Sequence, residues 1–169
     1  LFRSRFHPQE INSSIEYFAK YCKIDFDVYL PTKGVNLQRD YVWDIRQKRE
    51  LIWSILMNRH IPRMAMLNVV SEKEDISGTY QVIDGKQRLS AMIDFYKGGY
   101  TLEIDGDFFL FSELPEDYQR VIAGYMFPYY IVNEDFGNKF TDEDKINWFR
   151  YINFAGTPQD EQHLHKLLK

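Results

Sequence analysis

The stretch from Tyr80 to Ser90, YQVIDGKQRLS, runs an apolar strand pattern into a helix start that gathers Lys86, Gln87 and Arg88. The first turn of a helix leaves backbone N–H groups unpaired at the positive end of its dipole. Two cationic side chains and an amide are added to it here, so the junction suits an anion, and phosphate is the natural guest. Asp84 stands where a helix cap is expected, and Gln87 follows at capping-box spacing. Gly85 between them admits a tight turn and the close approach of a ligand. The plain alternative is a pair of solvated charges on an exposed helix start.

A second set, Gln38-Arg39-Asp40-Tyr41-Val42-Trp43, places an amide, a cation and two aromatic rings just before a helix cap. A guanidinium is a bidentate phosphate donor and aromatic faces stack on rings, so Arg39 could hold a phosphate while Tyr41 or Trp43 holds a base or sugar. Taken alone, the segment reads better as Trp43 stapling the helix start into the core and Arg39 pairing with an acid. A third set, Asn153-Phe154-Ala155-Gly156-Thr157-Pro158, brings Gly156 and Thr157 to another helix start. An ordinary inter-helix turn explains it equally well. His163 and His165 lie two apart and would point to different sides of a helix, while His7 and His60 are isolated, so no metal set is assigned.

Composition bounds the function. The chain has 169 residues, enough for one domain with a real core, and 13 Phe, 12 Tyr and 3 Trp can supply both that core and stacking surfaces. One cysteine, Cys22, excludes an internal disulfide framework or multi-cysteine zinc site and makes a reducing, cytoplasmic setting the expectation. A formal net charge of −4 speaks against a protein that coats nucleic acid, though not against a local basic cleft. No apolar run is long enough to span a bilayer, and no membrane partner is expected. GxSxG, HExxH, Walker A and GxGxxG patterns are all absent. The chain ends in HLHKLLK, in helical register, and reads as one domain of something longer.

The elements that must position these sets follow from pattern. Ser13 and Glu16 predict a capped helix over about 13–22, and Asp44 caps a second helix to about Arg59, closed by Pro62. Met64–Val70 and Thr79–Ile83 read as strands, Lys86–Lys97 as a helix. Tyr100–Ile104, Asp105-Gly106 and Phe108–Phe111 form the strongest hairpin pattern. A short helix from Pro115 to about Gly124, a strand over Pro128–Val132 and a helix opened by Thr141 and Asp144 follow, with a last helix from about 158. Short strands mixed with helices predict a compact α+β domain rather than a doubly wound sheet.

In order and spacing the three sets resemble the GmrS-type ParB-like domains, a family marked by a strand-to-helix DGQQR motif. Here the motif stands as Asp84-Gly85-Lys86-Gln87-Arg88-Leu89, the upstream segment as Gln38 to Trp43 and the downstream N-x-x-G-T-P segment as Asn153 to Pro158. The likeness covers about Val28 to Lys169. It implies a ParB/sulfiredoxin-like α+β fold with a small mixed sheet, surrounding helices and a β-hairpin. Such a domain binds a nucleoside triphosphate, in several members hydrolyses it, and serves systems that restrict modified phage DNA. Carried over by position, Asp84, Gln87 and Arg88 are the expected catalytic set. Gln38, Arg39, Tyr41, Gly85, Lys86, Asn153, Gly156 and Thr157 are the expected nucleotide-binding set. Mg²⁺ is the ion the resemblance leaves open, through Asp84. Lys86 departs from the motif's first Gln and Asp40 from a frequent Pro. The nuclease module of larger members is not in the sequence, so a nuclease domain or partner protein is implied, and self-association is left open. The competing readings are a non-catalytic, nucleotide-regulated module that binds DNA or protein, and a ParB-like nuclease.

Overall fold

The computed structural model describes residues 7–70, 78–134 and 139–154. In chain order, β1 (Gln9–Ser14), α1 (Ile15–Tyr21), β2 (Lys23–Asp25) and a small ribbon of β3 (Tyr29–Leu30) with β4 (Val35–Asn36) precede α2 (Ile45–Leu56). Then come β5 (Met64–Val69), β6 (Thr79–Asp84), α3 (Lys86–Tyr96) and the hairpin of β7 (Leu102–Ile104) and β8 (Asp107–Phe109). A 3-10 turn at Phe111–Glu113, α4 (Glu116–Ala123), β9 (Met126–Asn133) and α5 (Asp142–Phe154) complete the order. The fold is α+β, as its pattern predicts.

Five strands form one mixed sheet in the order β1-β9-β5-β6-β2. β5 pairs with β9 in parallel and with β6 antiparallel. Successive residues alternate between two cores, as the period of a strand requires. Met64, Met66, Val82, Phe127, Tyr129 and Ile131 face a cluster that holds Phe18 of α1, Ile52 and Ile55 of α2, and Leu89 and Met92 of α3. Ala65, Leu67, Ile83 and Val132 face the other side, against Val28, Leu30 and Leu37 and against Ile146, Trp148 and Phe149 of α5. With both faces covered, the central strands are apolar throughout; Met64 to Leu67 are all buried.

One irregularity matters for the site. Ala65 opposes Asp84 while Met66 opposes Val82, so β6 carries one extra residue, Ile83, at its end. Such bulges bend a strand and re-aim its last side chain. The carbonyls of Val82 and Ile83 at this bulge are both taken by Nε2 of Gln38, at 2.7 and 2.6 Å.

The helix starts test the cap readings. Asp44 accepts from the Gln47 N–H at 2.8 Å and Gln47 Oε1 accepts from the Asp44 N–H at 3.0 Å, the reciprocal box expected for α2. Thr141 and Asp144 do the same for α5. The Ser13–Glu16 box is not formed. Strand β1, which the pattern did not disclose, pairs with β9 through Ser14, so Ser13 stays in the ladder and its hydroxyl bonds to Tyr129 at 2.9 Å. Ser14 caps α1 instead, and Glu16 pairs with Lys20. Phe111 belongs to the 3-10 turn rather than the hairpin. Asn153, expected in a loop, lies in the last turn of α5 and donates to the Phe149 carbonyl at 2.7 Å. Gly156, Thr157 and the expected helix from about 158 lie outside the described residues. No described helix is long and apolar enough to cross a membrane.

Candidate functional site

The site grows from the β6-to-α3 junction. Asp84 ends the strand and Gly85 caps α3 with φ 99° and ψ 14°, a left-handed conformation that glycine alone adopts without strain. A Cβ at Gly85 would lie 2.4 Å from Met64 Cγ, so the backbone runs directly over β5. The expected Asp84 cap is absent: no side chain caps α3. Asp84 remains in the ladder opposite Ala65, and its carboxylate turns to Arg88 Nη2 at 3.0 Å. The first N–H groups of α3 are therefore left without a carboxylate over them.

These residues line a cradle of about 160 Å³ bounded by Gln38, Arg39, Trp43, Asp84, Gly85, Lys86, Gln87 and Arg88. The upstream segment and the helix start thus converge, seven of the sequence-selected residues in one place with Trp43 beside them. Three side-chain ties bring them together. Gln38 holds the bulge. Gln87 Oε1 accepts from the Val42 and Trp43 N–H groups at 3.0 and 3.2 Å, and its Nε2 donates to the Asp40 carbonyl at 3.2 Å. Lys86 Nζ reaches Asp27 at 2.6 Å, so its charge is matched by a carboxylate instead of standing free in the cradle.

The cations that remain are unequal. Arg39 is exposed and has no ion pair among the described residues. Arg88 spends Nη2 on Asp84 and on the Arg63 carbonyl at 3.2 Å, while its Nε is buried with no acceptor among the described residues. A buried donor left unpaired costs about 1–3 kcal/mol, which an incoming anion would relieve.

Tyr41 is not brought to the cradle. Its ring lies under Lys48 Nζ at 5.0 Å, its hydroxyl is buried without a partner among the described residues, and burial, with the Asp94 carboxylate adding, pushes that hydroxyl up to about 12. Trp43, the alternate aromatic of that segment, takes the place by the cradle. Three contributors escape sequence reasoning: Asp27, the Arg63 carbonyl and the bulge at Ile83. Each acts across strands from a distance in sequence, and none carries a local mark. Among the described residues no three His, Cys, Asp or Glu side chains gather to hold a metal.

The architecture defines a class, an α+β domain with an uncapped strand-to-helix junction cradling two arginines. Residues 29–168 match the family described as the GmrSD restriction endonuclease N-terminal domain, and the chain belongs to that family. It is therefore a component of a restriction system. No curated protein and no solved structure matches the chain.

Proposed function

We propose that this domain binds a nucleoside triphosphate at the β6–α3 junction, hydrolyses it, and so gates the restriction of modified DNA. The DGKQR segment then serves as this family's DGQQR motif on a ParB-like scaffold. The observation that carries the reading is the unpaired Arg88 Nε beside the uncapped start of α3, with Arg39 across the cradle. Phosphate oxygens would take the N–H groups of α3 and the two guanidiniums, which stabilise charge as it develops on the transferred phosphoryl group. Asp84 keeps one carboxylate oxygen unbonded among the described residues, available to orient a water or to share a Mg²⁺ ion with the phosphates. A magnesium ion there would neutralise phosphate charge.

Calorimetry and phosphate release test this together. Arg39→Ala, an exposed change, should weaken NTP binding by about tenfold, as loss of one charge-assisted contact implies, with an unchanged melting temperature. Asp84→Asn should keep binding and lose turnover. Wild-type protein that neither binds nor hydrolyses any NTP would end the proposal.

A second reading, binding without turnover, is favoured by Gln87. Its Oε1 is taken by the Val42 and Trp43 N–H groups, so Gln87 has no acceptor left with which to orient an attacking water. A nucleotide-dependent change in oligomer mass with no phosphate release would establish it.

A further inference from the structure

We infer that the groove walled by α2 and the His60–Pro62 link is the base-and-sugar subsite of the nucleotide, with Trp43 as its stacking face. This rests on the phosphate reading of the cradle. At about 160 Å³ the cradle is smaller than the roughly 300–1,000 Å³ of ordinary small-molecule sites, so an organic ligand anchored there by phosphates must extend beyond it. Two depressions adjoin it. One, of about 590 Å³, shares Trp43 and Arg88 with the cradle. The other, of about 410 Å³, shares Asp84 and is lined by Arg63, Tyr130, Trp148 and Tyr151.

Electrostatics choose between them. The second opens past the Asp84 carboxylate, and its lining cation, Arg63, is already paired with Glu10 at 3.0 Å. The route to the first passes Arg88 and meets Arg46, an exposed cation with no ion pair among the described residues. Beyond them the floor is apolar, with Leu51 and Ile61 7% and 4% exposed. Glu50, one turn after Arg46 on α2, is paired with Arg59 at 2.9 Å. The α2 wall thus carries Arg46, unpaired among the described residues, one turn before Glu50, over an apolar floor, and the Glu50 oxygen not bonded to Arg59 is able to accept an N–H from the base. The indole of Trp43 is partly buried against the core, which holds the ring in place for stacking.

Ser54 on the α2 wall gives a clean obstruction, since among the described residues its hydroxyl bonds only to the Glu50 carbonyl within its own helix. Ser54→Phe should weaken binding of each of the four NTPs by about tenfold or more, the worth of one base stack, and leave inorganic triphosphate within about two-fold. Trp43→Leu, which adds no bulk, should show the same split. NTP affinity unchanged in both variants overturns the inference, as does a selective loss of NTP over triphosphate in Tyr151→Ala. Wild-type protein that binds triphosphate and NTPs equally also overturns it while leaving the phosphate site standing. Binding of neither ligand removes the phosphate site itself, and the subsite with it.

Discussion

Gln87 is held on every side by backbone. Both lone pairs of its Oε1 are taken by Val42 and Trp43 and one hydrogen of Nε2 goes to Asp40, in a position only 9% exposed. If the proposed nucleotide binds at the cradle, Gln87 acts on it through the Arg39–Trp43 segment, as a positioning residue. Gln87→Ala leaves two N–H groups without acceptors, at about 1–3 kcal/mol each if they stay buried. The expected kinetic result is a raised KM with a smaller change in kcat, because Arg39 and Trp43 lose their placement while Asp84 and Arg88 keep theirs. A fall in kcat at constant KM would instead put Gln87 on the reacting atoms. Gln38 shows why residue type alone misleads. Its amide suits a phosphate on paper, yet a phosphate needs amide hydrogens, and Val82 and Ile83 take both donor contacts. Nothing local in QRDYVW reveals that a strand bulge more than forty residues away requires them.

At the scale of elements, one local signature occurs four times with different outcomes. Ser13–Glu16, Asp44–Gln47, Asp84–Gln87 and Thr141–Asp144 all space a cap residue and an acceptor by three. Asp44 and Thr141 follow loop residues and cap their helices. Ser13, the last but one residue of β1, and Asp84, the last of β6, are held in the ladder by pairing with Phe127 and Ala65, and at α1 the cap falls to Ser14 one residue on. Strand pairing is nonlocal, so the cap pattern could not separate the cases. The same reason hid β1, whose QEINSS carries weak apolar alternation and is made a strand by β9 beside it. On the proposed reading, the missing side-chain cap is what would leave α3 open to an anion. At α2 the cap is structural, and Asp44→Ala should cost about 1 kcal/mol. For a domain of this length that lowers the melting temperature by about 2–4 °C, and Asp44→Asn should recover most of it. A thermal melt insensitive to both would mean that tertiary packing alone sets the start of α2.

For the whole molecule, the packing of the sheet, helices and connecting segments puts tyrosines where a phenolate is poorly tolerated. Burial raises the hydroxyls of Tyr41, Tyr80, Tyr100, Tyr125 and Tyr129 above the ordinary value of 10.0, and Tyr41 reaches about 12. The sign follows from proton counting. Below pH 10.0 these groups are neutral in both folded and unfolded chains and stability is unaffected. Above it the unfolded chain releases protons that the folded chain retains, so the contribution to stability falls as pH rises and, for Tyr41, is gone once pH passes about 12. Urea unfolding followed against pH should therefore show stability declining from about pH 10 upward. Tyr41→Phe, which removes one ionisable hydroxyl that has no partner, should flatten that decline without lowering stability at neutral pH. Tyrosinate absorbance from these positions should rise together with loss of the helical circular dichroism signal. Phenolates forming near pH 10 in a chain that keeps its helices would show that the two cores admit water, and would remove burial as the cause.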